Sequence, residues 1–387
     1  MSAEISSFLS ERIVAGDFPS AVYLVAEKNE IVLHEALGNA VVVPEIIPAK
    51  KDTIYDLASL TKVLVTGLYA AYLIEVGRLT IDDRIAKFLG QFDGTGHNNV
   101  NVRQLATHTS GFKSWMPFYL ESTNPLRVVD TIAKQPLVEA SSEVVYSDLN
   151  FIILGQIIQK IESSRIDLAI SEMFEDKLGL RNTIFNPLVE PDLHRISQTD
   201  IAASEKGNGF ERQTCVELGY LPGSTPAKNP VAIAPGSDSF RTEIIWGQVH
   251  DGNAYFMGGV SGHAGLFSTA EEVFKVAQQF LPNYTTLLRP ETCELFRTNF
   301  TPRMNEHRSF AFQLATTPES TAGTKMSPES FGHLGFTGTS LWIDPVKERV
   351  FILLTNRTHN HDLPFVNLNS VRRQFHDLAI DYLDKNR

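Results

Sequence analysis

The chain has 387 residues, 43% of them hydrophobic and 20% charged, so it can bury a large core and a water-poor cleft, and nothing in it reads as disorder. Its formal net charge of -11 and the lack of any Lys/Arg run exclude phosphate-backbone binding, and the acidic balance itself implies solubility and no particular partner. The two cysteines, Cys215 and Cys293, have no zinc spacing and read as buried, indifferent thiols. In chain order, Ile5 to Ile13 has helical spacing. Met1 to Phe18 reads as an amphipathic helix and not an export signal. With no stretch of transmembrane length, a cytoplasmic protein is expected; a periplasmic one already relieved of its signal segment would look the same. Ala21 to Ala26 and Ile31 to Leu37 flank the polar turn Lys28-Asn29-Glu30, a β-hairpin signature. Leu60 to Val76 is an apolar, buried helix with Gly77 just past its end.

The stretch from Asp82 to Pro235 reads as helical with long loops, Phe151 to Ile161 being the clearest helix and Gly207 to Phe240 an irregular connection. Ala270 to Leu281 is helical, with Ser268 or Thr269 as N-cap. Thr337 to Ile343 alternates, Arg349 to Leu354 is apolar and β-branched, and Asp344 to Glu348 turns between them, a second hairpin. Val371 to Leu383 is a terminal helix. Strands at both ends with helices between predict an α+β chain. Residues 1–55 and 240–387 would build one sheet from both termini, 56–239 a mainly helical insertion, and the active site would lie at the seam.

The chemistry starts at Ser59-Leu60-Thr61-Lys62, at the mouth of the buried helix. Residues three apart share a helix face, so the Ser59 hydroxyl and the Lys62 amine can touch. A serine needs a base to become a nucleophile, and burial disfavours the charged form of a lysine. The helix N-terminus adds positive potential for an oxyanion. The tetrapeptide is weak evidence alone, since on the order of one chance match is expected, and Ser110-Gly-Phe-Lys113 is a second one. Ser59 is preferred because it opens an apolar helix, with a plain N-cap as the bland alternative. Tyr146-Ser147-Asp148-Leu149-Asn150 precedes the next helix. Its tyrosine can shuttle protons, or simply pack at a helix start with Asp148 as cap. His333-Leu334-Gly335 precedes Phe336. Gly335 would let a substrate approach an edge strand, and the Phe336 N–H would pair with that of Ser59 as an oxyanion hole. The bland reading is a loop histidine before a strand.

These three elements occur in the order and spacing of serine β-lactamases and penicillin-recognising enzymes, and the first is a known signature of that family. The chain resembles the class C β-lactamase and DD-peptidase branch. Leu105-Ala-Thr-His-Thr-Ser-Gly111, Gly77-Arg-Leu-Thr-Ile-Asp-Asp83 and the glycine-rich run from Gly258 to Thr269 resemble it further, so the likeness covers about residues 15 to 380. It implies the β-lactamase/transpeptidase-like fold, an antiparallel sheet flanked by helices plus a helical subdomain. It also implies an acylated Ser59, a proton-transfer pair Lys62 and Tyr146, and Asp148, Asn150, His333, Gly335 and Phe336 around substrate and oxyanion. No cofactor, metal, nucleic acid or membrane is implied, and a monomer is expected.

Two departures stand out. Asp148 replaces the usual asparagine and, when ionised, cannot donate to a substrate carbonyl. Leu334 replaces the usual threonine and removes a hydroxyl that would hold a substrate carboxylate, while His333 carries charge only when protonated. Substrate carboxylates should therefore be held weakly, and simple esters should compete with penicillins. A non-catalytic sensor module on the same fold is the alternative of a different class. Gly259-Val-Ser261-Gly-His263 fails the G-x-S-x-G pattern at its last position, which argues against an α/β-hydrolase. His359 and His361, an H-x-H pair, read as loop histidines. His108 and His263 would either line the cleft or bond backbone, and stay outside the catalytic set.

Overall fold

The computed structural model describes residues 2–136, 143–189, 196–222 and 240–385. The chain opens with the helix Ser2–Val14 and then the hairpin of β1 (Ser20–Glu27) and β2 (Glu30–Val41). Lys28 and Asn29 take positive φ values of 49° and 68°, the two-residue turn whose twist suits a hairpin. Then come β3 (Ile47–Pro48), β4 (Tyr55–Asp56), β5 (Ile184–Phe185) and β6 (Leu266–Ser268). β7 (Gln313–Leu314), β8 (Phe331–Leu334), β9 (Ser340–Asp344) and β10 (Arg349–Thr355) complete the strands. A seven-stranded antiparallel sheet runs β3-β2-β1-β10-β9-β8-β7, so β1 and β10 pair and join the two ends of the chain from Ala21↔Thr355 to Glu27↔Arg349.

β1 and β10 read as nearly continuous apolar runs because the sheet is covered on both faces. Ala21, Tyr23, Val25, Phe351 and Leu353 face the terminal helices Ser2–Val14 and Asn369–Lys385, meeting Ile5, Leu9, Phe375 and Ala379. Val22, Leu24, Val350, Ile352 and Leu354 face the other way, into one continuous core with the central helix. β9 is buried throughout, so the polar-apolar alternation of its sequence is not a solvent face but a division between two interiors.

The central helix is π-helical over Lys62–Gly67 and α-helical over Leu68–Glu75, with Gly77 at φ 74° past its end. It is buried from Leu60 to Ala71. The next long helix is Asp148–Glu162, three residues longer at its start than the sequence pattern suggests. It crosses the glycine-rich run closely: a Cβ on Gly262 would lie 2.3 Å from the Phe151 carbonyl, and Gly155 and Gly262 touch through their backbones. Within the stretch predicted as irregular, Gly209–Glu217 is a helix, while 223–239 lies outside the described residues. The late helix is Ala270–Ala277, capped by Thr269, whose hydroxyl accepts from the Glu272 N–H. A small sheet, β4-β6-β5, sits behind the turn that carries Ser59. Cys215 and Cys293 are buried and unpaired. Among the described residues no helix is long and apolar enough to cross a membrane.

Candidate active site

Ser59 lies on the turn between β4 and the central helix. Ala58, just before it, is in the left-handed region at φ 46°, an arrangement that costs an alanine about 1–2 kcal/mol. Asp56 holds it there: its buried carboxylate accepts from the Ala58 N–H at 2.8 Å and the His250 N–H at 2.7 Å, and burial raises its pKa. The Thr337 hydroxyl donates to the Asp56 carbonyl at 2.7 Å and that of Thr339 to the Leu57 carbonyl at 3.1 Å. The Ser59 turn is thus stitched to the turn after β8. Among the described residues, the backbone N–H groups of Ser59 and Phe336 have no hydrogen-bond acceptor.

Lys62 is fully buried, and its Nζ donates to Ser59 Oγ at 2.8 Å and to the His263 carbonyl at 3.1 Å. Asp148 Oδ1 lies 2.7 Å away as an ion pair and, among the described residues, accepts no hydrogen bond. The sequence reading, in which burial favours a neutral Lys62, is corrected here. Burial is the largest single influence and pulls the pKa down, but Asp148 and Tyr146 together outweigh it and the pKa is raised. Nor is Ser59 merely a cap: the first turn of the helix has no side-chain cap bond, and the Ser59 hydroxyl faces Lys62.

Tyr146 places its ring 5.1 Å from Lys62 Nζ, tilted against His108 with centroids 4.5 Å apart and beside His333 at 5.8 Å. His108, itself at φ 57°, accepts the Ser147 N–H on Nδ1 and so fixes the segment that carries Tyr146. His333 sits within β8, not in a loop. Its Nδ1 donates to the Leu334 carbonyl at 2.9 Å, leaving a buried Nε2 lone pair with no partner among the described residues. Burial and then the nearby Lys62 and Arg308 keep His333 uncharged, far below the usual histidine range. β7 pairs with β8 only at Phe331 and Gly332, so His333 and Leu334 border a free strand edge. Gly335 lines the cleft and has a packing role as well. A Cβ there would meet Thr339 Oγ1 at 1.9 Å and the Leu57 carbonyl at 2.5 Å, so its smallness lets the Ser59 turn come close.

A cleft of about 700 Å³ opens on Ser59, with Tyr146, Asp148, His333, Gly335 and Phe336 in its wall. Asn150 is not in that wall. It is fully buried, with Oδ1 accepting from Ser110 Oγ at 2.6 Å and the amide against His108 Nδ1, which corrects its assignment to substrate binding. Ser110 is thereby spent, and Lys113 reaches Gln135 instead, so the second Ser-x-x-Lys match is no catalytic pair.

A β-lactamase family profile matches residues 5–372. The chain belongs to the β-lactamase family. A protein of Escherichia coli (strain K12) named "Putative D-alanyl-D-alanine carboxypeptidase" is 30% identical over 92% of this chain and 82% of its own length. Among solved structures, "EstCE1, a hydrolase with promiscuous acyltransferase activity" superposes with a TM-score of 0.70 at 18% identity, covering 97% of this chain and 98% of that one. A class C β-lactamase gives 0.68 at 14% identity over 97% of each chain. These likenesses place the fold in the β-lactamase/transpeptidase class, as the motifs imply.

Several cleft residues of this β-lactamase-family chain went unnoticed in the sequence. Asp251 pairs with His263 Nε2 at 3.0 Å, while the His263 carbonyl braces Lys62; only the glycine-rich run signalled that segment. Asp148, Asp251 and His263 bring ligand-type atoms within 4.8 Å of one another, and the cation beside them is the Lys62 ammonium. Glu211 is buried against Tyr119 and the Gly252 N–H, and burial and then Asp251 push its pKa up to about 7. Arg357 donates to the Phe336 carbonyl at 2.6 Å and Arg372 to those of Gly335 and Thr339. Burial lowers their pKa values to about 10 and about 9. No sequence signal marks either arginine. His359 is structural, its Nε2 accepting from the Val42 N–H at 2.9 Å.

Proposed function

We propose that the protein transfers acyl groups to water through an acyl-Ser59 intermediate. The supporting observation is the Ser59–Lys62 contact of 2.8 Å at the base of a cleft into which two uncommitted N–H groups, those of Ser59 and Phe336, can point. Ser59 is the nucleophile, Lys62 and Tyr146 manage its proton, and the two N–H groups hold the oxyanion, a role worth roughly 10²–10³ in rate per donor. The preferred substrates are carboxylic esters or amides with apolar substituents. An uncharged His333 and an apolar Leu334 stand where a cation and a hydroxyl would hold a penicillin carboxylate, and Phe210, Phe336 and Phe365 line the adjoining wall. A second reading, a D-alanyl carboxypeptidase, is favoured by the guanidinium groups of Arg357 and Arg372. They line the same cleft, contact carbonyls and, among the described residues, no carboxylate, and suit an anionic C-terminus.

The test is intact-protein mass spectrometry with a fluorophosphonate and, separately, a fluorescent penicillin, on wild type and Ser59→Ala. Both labels should attach to wild type in a Ser59-dependent way, the penicillin slowly. Cephalosporin hydrolysis at about 10⁶ M⁻¹s⁻¹ or more would overturn the ester preference. Release of D-alanine from a D-Ala-D-Ala peptide, lost in Arg357→Gln, would establish the second reading. Failure of both labels would revive the non-catalytic sensor.

A further inference from the structure

We propose that His250 is a positioning residue that sets the direction of both N–H groups of the oxyanion hole, with Glu205 holding it in place. The inference rests on the acyl-Ser59 reading and adds to it the side chain that ties the two turns to a third element. One N–H belongs to the turn after β4 and the other to the turn after β8, so the two have no common support along the chain. The Thr337 and Thr339 hydroxyls fix how near the turns lie, each by a bond to a carbonyl of the Ser59 turn. The direction in which each N–H points needs separate support.

His250 reaches both sides. Its backbone N–H donates to Asp56 Oδ2 at 2.7 Å, while Asp56 Oδ1 accepts from the Ala58 N–H at 2.8 Å. The two oxygens belong to one planar carboxylate, so a shift of the His250 N–H turns the group that holds Ala58. Ala58 directly precedes Ser59 and sits at φ 46°, a conformation that persists only while its surroundings over-determine it. On the other side, the His250 imidazole stacks on the Phe336 ring, with centroids 5.4 Å and planes 26° apart. Phe210 adds a second ring contact to Phe336 at 4.8 Å. The Phe336 ring and N–H share one residue, so support of the ring limits how far that N–H can turn.

His250 is itself held from behind. Its Nε2 lies 2.9 Å from Glu205 Oε2, and a carboxylate can only accept, so Nε2 carries the proton. Arg241 donates to the His250 carbonyl at 2.6 Å, and the Gly252 N–H, two residues on, donates to Glu211 Oε1 at 2.6 Å. Glu205 Oε1 accepts the Phe210 N–H at 2.9 Å, so the carboxylate that grips His250 also fixes the start of the helix carrying Phe210. Both His250 and Glu205 are buried. Removal of the imidazole would leave a buried carboxylate oxygen unpaired and Phe336 free to turn, and the disturbance would pass through His250's own backbone to Asp56.

The experiment pairs hydrolysis of a p-nitrophenyl ester with the affinity of phenylboronic acid, whose boron takes the Ser59 oxygen, releases the serine proton and mimics the tetrahedral intermediate. His250→Ala should lower kcat by about 10²-fold with KM within about threefold, because a mis-aimed oxyanion donor is felt in the transition state and not in substrate binding. Boronate affinity should fall with kcat, whereas a packing defect alone would lower the thermal midpoint without separating boronate binding from KM. His250→Gln keeps a bond to Glu205 but lacks the ring; it should show the same pattern and carries the test if the alanine variant does not fold. His250→Phe combined with Glu205→Gln returns a ring to Phe336 beside a neutral partner and should regain kcat to within about fivefold of wild type. The proposal is overturned if kcat and boronate affinity of the alanine or glutamine variant stay within about threefold of wild type, if KM carries the loss, or if the double variant is no better than His250→Ala. A wild type that neither hydrolyses the ester nor binds the boronate would instead defeat the acyl-Ser59 reading, and with it the role of His250.

Discussion

Replacing Gly335 by alanine tests how the two turns of the site are held together. The new Cβ would fall 1.9 Å from Thr339 Oγ1 and 2.5 Å from the Leu57 carbonyl oxygen. The threonine can rotate away, but then it loses its 3.1 Å bond to that carbonyl, at about 1 kcal/mol. The carbonyl is backbone and has to retreat, an overpacking shift costing about 1–3 kcal/mol. The expected loss of stability is therefore about 2–4 kcal/mol, read by urea unfolding. The shift falls two residues before Ser59 and re-aims its N–H, so kcat/KM for a p-nitrophenyl ester should drop by about 10²–10³, the worth of one oxyanion donor. Thr339→Ala, which removes the hydroxyl without moving the carbonyl, should cost only about 1 kcal/mol and little activity. Gly335→Ala with activity within a few-fold of wild type would refute the idea that this contact sets the spacing of the two N–H groups.

Two further outcomes follow from the same geometry. Glu211, whose folded pKa lies above its unfolded value, binds more protons folded than unfolded. Its stabilising contribution is complete at acid pH and is lost as pH rises towards about 7, so Glu211→Gln should flatten the fall in unfolding free energy across roughly pH 4.5–7 measured by denaturant titration at each pH. Gly262→Ala would press a methyl against the Phe151 carbonyl at 2.3 Å; it should lower the thermal midpoint and, by displacing the neighbouring His263 carbonyl from Lys62, reduce ester turnover as well.

The sequence alone determined whatever depends on neighbours along the chain. The Ser59–Lys62 contact spans one helical turn, the Lys28–Asn29 hairpin is a local turn, and the apolar runs of β1 and β10 announce strands. The order of the motifs carried the fold class as well, because it repeats the family's whole arrangement. Tertiary structure decided what depends on distant residues meeting. Burial at the helix start pointed to a neutral Lys62, and only the approach of Asp148 and Tyr146, distant in sequence, raises its pKa instead. Asn150 shares a motif with Tyr146 and Asp148, yet the first turn of its helix aims it away from the cleft towards Ser110 and His108. Arg357 and Arg372 come from the end of β10 and from the terminal helix, where nothing nearby in sequence marks them, and they reach the site because those elements pack behind the turn after β8. Charge and pairing in a low-dielectric interior are set by whatever lies within a few ångströms in space, and spacing along the chain reports that only within a turn or a hairpin.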